Sequence, residues 1–188
     1  MMQATRLAAA AMLLLTLSGP AMAEIDVLRK PPDLIQAVDA NDLDKMRSLL
    51  LSGAAPNASD ADGRTALTIA ARYGRDAMVR ELLHFGAQPD QPDALGNTAL
   101  FWAADTGDVG AVRVLLKGKA NPNRGNRQGI TPLMAAARNG SVPTVEALLA
   151  AGANPRLEDF TGRSALGWAE ASRARSVADR LRKAGAAN

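Results

Sequence analysis

The chain has 188 residues, a formal net charge of +3 and no cysteine, and 3% of its residues are aromatic. Without cysteine it can form neither disulfide bonds nor a thiolate nucleophile. One histidine and one tyrosine are too few to build a catalytic triad or a histidine metal site. The composition therefore argues against an enzyme and against a bound cofactor or metal.

Residues 1–23 have the pattern of a secretory signal peptide. Arg6 precedes an apolar run over residues 7–17, and Ala21-Met22-Ala23 offers a small-x-small cleavage site. A membrane anchor is the alternative, but this run of 11 residues is shorter than the roughly 18 apolar residues that span a bilayer. We therefore expect cleavage after Ala23, a periplasmic or secreted protein, and no integral membrane segment in the mature chain.

Residues 24–31 show no periodicity and are predicted to form an extended lead-in. Apolar residues then recur at helical spacing from Leu34 to Val38 and again from Leu43 to Leu50. This pattern predicts two short helices.

From residue 60 onwards one pattern returns every 33 residues. In its complete form it contains a turn glycine, a Thr or Ser two positions later, an alanine pair, and a leucine pair in a second helix. The glycine permits a positive φ in the turn, and the hydroxyl is placed to cap the first helix. The glycines and hydroxyls are Gly63, Gly96, Gly129 and Gly162, and Thr65, Thr98, Thr131 and Ser164.

Stepping back 33 residues from Leu67 and Leu82 reaches Leu34 and Leu49, so the first two helices are a degraded first repeat. The period, with its Thr-Pro-Leu motif at residues 131–133, resembles the ankyrin-repeat family over about residues 32–188. The resemblance implies an all-α ankyrin-repeat solenoid of about five helix-turn-helix repeats with turn fingers. We place the repeats at about residues 32–59, 60–92, 93–125, 126–158 and 159–188.

No single repeat can bury its own leucines, so neighbouring repeats must stack. We predict that Leu116→Ala, in the middle of the stack, costs about 2–5 kcal/mol and more than Leu50→Ala. Residues 24–110 carry 8 basic and 14 acidic side chains, a balance of −6, and residues 111–188 carry 13 and 5, a balance of +8. A linear array therefore has one acidic and one basic end.

Three departures from the family pattern concern the turns and helix ends. The histidine usual after Thr-Pro-Leu is replaced in every repeat, which leaves open how neighbouring turns are linked. Lys119 stands where other repeats have glycine, and we expect the helix to end one residue early, on Gly118, rather than Lys119 to take a left-handed conformation. In the last repeat Arg173 and Arg182 replace the glycine and the second leucine, as a polar outer face requires.

Four short polar residues share one repeat position, three residues before each turn glycine. We expect them to stabilise the turns by accepting hydrogen bonds, and calcium bridging successive turns is the alternative. The residues are Asp60, Asp93, Asn126 and Asp159.

The resemblance implies that the turn tips and the ends of the first helices form a concave face that binds another protein. Several candidates on it are apolar, or are Tyr and Arg, the types enriched in interface hot spots. Trp102 and Trp168 are expected to fill the core rather than line this face. The candidates carried over by position are Asp62, Arg64, Tyr73, Leu95, Asn97, Asp105, Arg127, Gln128, Ile130, Arg138, Phe160 and Arg163.

The leading hypothesis is a monomeric, exported, non-enzymatic adaptor or accessory protein that binds a client protein through this face. A peripheral envelope protein that binds anionic membrane or polymer through its basic C-terminal half is the first alternative. An enzyme with a shallow acidic site is the second. Nucleic acid is not expected as a partner, because export removes the usual targets.

Overall fold

Ten α-helices make up the regular structure of residues 32–186, the part of the chain that the computed structural model describes. The predicted signal peptide of residues 1–23 and the lead-in of residues 24–31 lie outside the described residues. Within residues 32–186 no β-strand forms, and the all-α prediction is confirmed. The helices are α1 (Asp33–Asp39), α2 (Leu43–Leu51), α3 (Ala66–Arg72), α4 (Asp76–His84), α5 (Ala99–Thr106), α6 (Val109–Lys117), α7 (Pro132–Asn139), α8 (Val142–Ala150), α9 (Ala165–Ala171) and α10 (Arg175–Lys183).

The helices pack as a row of pairs. Each odd-numbered helix packs against the even-numbered helix that follows it and against the odd-numbered helices of the adjacent pairs, and the even-numbered helices also pack against one another in order. The extensive contacts join only helices of the same pair or of adjacent pairs. This is the stacked solenoid that the repeat period predicted, and not a closed bundle.

Local sequence determines where the first helix of each pair begins. The hydroxyls of Thr65, Thr98 and Thr131 accept hydrogen bonds from the backbone amides three residues later, at 3.1, 3.2 and 3.4 Å. Ser164 makes the same bond to the amide of Gly167 at 3.3 Å. Each bond satisfies one amide that the helix itself cannot pair, so the predicted caps are confirmed.

Small and large side chains divide the core as the repeat pattern predicted. The alanine pairs of α3, α5 and α7 are fully buried, which lets neighbouring first helices approach closely. In α4, α6 and α8 the first leucine of the pair, such as Leu115, is fully buried, and the second, such as Leu116, is half-buried. In α2 the order is reversed, with Leu49 half-buried and Leu50 buried. Because Leu50 is only 6% exposed, burial favours the opposite of the predicted order, with Leu50→Ala costing more than Leu116→Ala.

The end of α6 also differs from the prediction. The helix ends at Lys117, in the same register as α4 and α8, and Lys119 takes a left-handed conformation with φ of 65°. Gly118 does not end the helix early; it lies where a Cβ would approach a Leu83 methyl to 2.9 Å. A Cβ at 118 would therefore require the Leu83 side chain to move, and the left-handed position falls to Lys119.

The C-terminal repeat has the polar outer surface that solvent requires. At the C-terminal end α10 buries Val177, Ala178 and Leu181, while Arg182 is exposed and pairs with Glu170 at 2.6 Å. At the other end α1 follows Pro32 and has no side-chain cap. The C-terminal end matches the predicted capping repeat.

Candidate protein-binding surface

The turn before each first helix is built around one side-chain acceptor. The Oδ1 atoms of Asp60, Asp93, Asn126 and Asp159 each accept hydrogen bonds from the backbone amides two and four residues later, at 2.8–3.0 Å. The predicted role of these residues in the turns is confirmed.

Successive turns are joined by their backbones. The amides of Ala94, Arg127 and Phe160 donate to the carbonyls of Asp62, Leu95 and Gln128 of the preceding turns, at 2.9, 3.1 and 3.0 Å. These bonds answer the question that the missing histidines left open. They also bring the turns so close that a Cβ on Gly96 would lie 2.8 Å from the amide nitrogen of Arg127.

We call the surface made by these turn tips and the C-terminal ends of the first helices the turn face. Three of its predicted members are large, exposed and apolar: Tyr73 is 58% exposed, Leu95 is 56% exposed and Phe160 is 81% exposed. Arg127 and Gln128 are exposed beside them, whereas Ile130 is half-buried against the core.

Asn97 does not belong to the accessible part of the turn face. It is 3% exposed, and its side chain accepts a 2.9 Å hydrogen bond from the Asn126 amide group of the next turn. Its role is to join two turns.

Two charged pairs hold other predicted members in place. Arg64 pairs with Asp60 at 2.7 Å and lies 3.6 Å from Asp62, and Arg138 pairs with Asp105 at 2.6 Å. Burial alone would raise the pKa of Asp60, but hydrogen bonds from the Arg64 side chain and backbone outweigh it and hold that pKa below its usual value.

The tryptophans contradict the expectation that they fill the core. Trp102 and Trp168 are both half-buried, with one side packed on the core. Each donates its indole N–H to the second oxygen of its own turn carboxylate, Asp93 or Asp159, at 2.9 Å. The sequence contained a signal for this pairing, because a tryptophan follows the turn aspartate by nine residues in two repeats.

Arginine side chains cover both indoles. The guanidinium carbon of Arg72 lies 4.4 Å from the ring centroid of Trp102. Those of Arg163 and Arg138 lie 4.7 and 5.4 Å from the ring centroid of Trp168. The turn face thus combines apolar, aromatic and cationic side chains on a frame of hydrogen-bonded turns.

Comparison with known families accounts for this frame. The family model for ankyrin repeats, in three copies, matches residues 34–126 and 118–188. The chain belongs to the ankyrin-repeat family. A comparison with curated proteins gave no match.

Ankyrin repeats are in general protein–protein interaction modules, and this chain has a cleft on the surface where its repeats meet. The cleft has a volume of about 430 Å³. It lies between two neighbouring turns of the ankyrin array and is lined by Asp62, Arg64, Arg72, Asp93, Ala94, Leu95 and Trp102.

Two further acidic residues have structural roles in the ankyrin array. Asp108 caps α6 by accepting from the amides of Gly110 and Ala111, and Asp90 accepts from the amide of Asn121 in the next repeat at 2.9 Å. Over residues 32–186 no three His, Cys, Asp or Glu side chains lie close enough together to hold a metal ion. In the same range no helix is long and apolar enough to cross a membrane.

Proposed function

We propose that this ankyrin-repeat protein is a non-enzymatic adaptor or accessory protein of the bacterial periplasm that binds a client protein through its turn face. One observation carries the proposal. Of the four large apolar side chains that are exposed in the described residues, Tyr73, Leu95 and Phe160 lie on the turn face. Only Leu51, at the end of α2, lies elsewhere.

The concentration of these side chains on one face favours a protein partner for a physical reason. Each of these side chains leaves apolar area in water, and burial contributes roughly 25 cal/mol for each Å² that is covered. Exposed apolar groups that are clustered and edged by charges mark binding surfaces more often than scattered ones do. The surrounding arginines supply the residue type that is enriched at the centre of interfaces.

The frame beneath the turn face supports the same proposal. Backbone hydrogen bonds between turns and buried side-chain acceptors fix the tips before any partner arrives. A preformed surface loses little conformational entropy on binding. No converging set of catalytic groups accompanies it, so we propose recognition without chemistry.

Export is proposed from the sequence of residues 1–23. Cell fractionation, followed by N-terminal sequencing of the exported form, tests this part by itself. A chain that begins at Glu24 in the periplasmic fraction is the expected result. A chain that keeps residues 1–23 in the cytoplasm would contradict it.

The binding face is tested by capture from a periplasmic extract with the purified protein as bait. Arg127→Glu combined with Phe160→Ala is expected to abolish capture of the client. Arg113→Glu combined with Leu51→Ala makes one charge reversal and one apolar-to-alanine change on the second helices, away from the turn face, and should leave capture intact. Equal capture by both double variants would refute the proposed face, and salt-sensitive binding to anionic vesicles in its place would favour the basic-end alternative.

A further inference from the structure

The two tryptophans of the turn face form equivalent subsites. Trp102 and Trp168 occupy the same position in the third and fifth repeats, 66 residues apart. In both subsites the indole is fixed by a 2.9 Å hydrogen bond to the turn carboxylate. In both, an arginine from the preceding repeat, Arg72 or Arg138, lies over the ring.

Two of the stacked arginines have unused hydrogen-bonding capacity. Neither the Arg72 nor the Arg163 side chain makes a hydrogen bond or an ion pair with any other residue in the described range 32–186. Arg138, in contrast, is bound to Asp105 at 2.6 Å. A guanidinium that lies flat on an indole keeps its five N–H donors at its edge, where they match a carboxylate bidentately.

The charge balance of the turn face favours an acidic ligand. The carboxylates of Asp93 and Asp159 are buried and already occupied by the indoles and the turn amides. Asp62 is the exposed acid of the cleft and lies 3.6 Å from Arg64. Arg72, Arg127 and Arg163 therefore remain as uncompensated cations, and a complementary partner is negative there.

The spacing of the subsites limits the shape of that ligand. The first helices α5, α7 and α9 pack against each other in order, so the two indoles are two helix spacings apart. At roughly 8–10 Å for each spacing, the subsites are separated by roughly 16–20 Å. An extended chain rises about 3.3 Å for each residue, which corresponds to about five or six residues.

We propose that the turn face binds an extended acidic segment of the partner, with two carboxylate side chains about five or six residues apart bound at Arg72 and Arg163. This inference rests on the proposed function, because it names the partner chemistry of the same surface. The exposed Leu95 and Phe160 contact apolar side chains of the same segment.

The test is selection from a phage-displayed library of random linear peptides of about twelve residues, a length that spans both subsites. The purified protein is the target, and Arg72→Gln combined with Arg163→Gln is the test variant. Arg80→Gln combined with Arg113→Gln is the matched control, because it removes the same charge from exposed arginines of the second helices α4 and α6. All these side chains are exposed, and melting curves verify that each variant is folded.

We expect selected peptides to carry paired Asp or Glu residues at the stated spacing. Arg72→Gln alone and Arg163→Gln alone should each weaken peptide binding by about tenfold, the loss of one charge-assisted contact. The control should leave binding unchanged. The only two tryptophans of the chain report the contact directly through a change in intrinsic fluorescence.

Three results would overturn the inference. Peptides that lack acidic residues but lose binding with Leu95→Ala and Phe160→Ala would leave the proposed function standing and refute the acidic ligand. Peptides that bind the Arg72→Gln, Arg163→Gln variant with the same affinity as the unchanged protein would also leave the proposed function standing and refute the acidic ligand. A selection in which no peptide binds the unchanged protein more tightly than the arginine variant also refutes the inference. The capture experiment decides the proposed function separately.

Discussion

Trp168 donates its indole N–H to Oδ2 of Asp159 at 2.9 Å, and this carboxylate is only 5% exposed. The other oxygen, Oδ1, is occupied by Thr161 and by the amide of Arg163. The indole is thus the one donor among the described residues that reaches Oδ2. A ring on the binding surface and the turn beneath it are a single structural unit.

Trp168→Phe is expected to lower the free energy of unfolding by about 1–3 kcal/mol, because a buried carboxylate oxygen loses its donor. Urea denaturation measures the loss. A double-mutant cycle with Asp159→Asn should give a coupling free energy of about 1 kcal/mol or more. If the two losses simply add, the hydrogen bond contributes nothing.

Asp159 also predicts how stability depends on pH. Burial alone would raise its pKa, but hydrogen bonds from Thr161, Arg163 and Trp168 outweigh burial and lower it. A lowered folded-state pKa contributes stability that is complete above the unfolded-state value, near 3.9, and is lost as pH falls towards the folded-state value.

Asp159→Asn should therefore reduce stability at neutral pH and flatten its decline below about pH 5. Denaturation series at decreasing pH test this. Glu158→Gln, at the exposed neighbouring residue, is the control and should leave the decline as it is. An unchanged slope for Asp159→Asn would contradict the assignment.

Asp76 predicts a pH dependence of stability with the opposite sign to that of Asp159. Burial raises the pKa of this carboxyl, the charge of Asp108 raises it further, and Arg80 opposes them weakly. Oδ1 of Asp76 is buried and makes no hydrogen bond within residues 32–186. Ionisation therefore costs stability as pH rises through the interval between the ordinary and the raised pKa.

Asp76→Asn should stabilise the protein at pH 7 and have little effect at about pH 3, where most of the carboxyl is protonated in both states. Melting temperatures at the two pH values measure the difference. A variant that is less stable at pH 7 would show that the negative charge at the start of α4 is favourable overall.

The two leucines of α6 should differ sharply in how much stability is lost when each is replaced by alanine. Leu115 is fully buried and Leu116 is half-buried, so Leu115→Ala is expected to cost about 2–5 kcal/mol and Leu116→Ala about 1–2 kcal/mol. Chemical denaturation of both variants compares them directly. Equal losses would mean that the outer surface of the second helices is better packed than its exposure indicates.

Lys119→Gly is expected to stabilise the protein by about 1 kcal/mol, because glycine adopts the left-handed conformation without the steric cost of a Cβ. Arg113→Gly, at an exposed position inside α6, is the control and should destabilise by about the same amount. A loss of stability for Lys119→Gly would mean that the lysine side chain makes a favourable contact there.

The sequence predicted those features that depend on backbone geometry within one repeat. The period placed every turn acceptor and every capping hydroxyl, because each acts on amides only two to four residues away. The same period predicted stacking, since neither the alanine pairs nor the leucine pairs could be buried by one repeat.

Features that depend on contacts between repeats were missed or wrong. Neighbouring leucines point about 100° apart on a helix, so only one of each pair can face the next layer, and the period does not say which. Lys119 was misassigned because Gly118 was expected to end the helix early, whereas α6 ends in the same register as α4 and α8 and so puts Lys119 in the left-handed position. Asn97 was predicted to be accessible because its partner Asn126 belongs to the next turn.

The backbone hydrogen bonds that join successive turns have a consequence for how this surface can change over evolutionary time. They are made by main-chain atoms of Asp62, Ala94, Leu95 and their counterparts, whatever side chains those residues carry. If the turn face binds a client as proposed, mutations at the tips alter what the protein recognises and leave its architecture almost untouched. Adaptation to a new client would then require only new tip residues, and the demand for folding would fall on glycines, caps and alanines outside the contact.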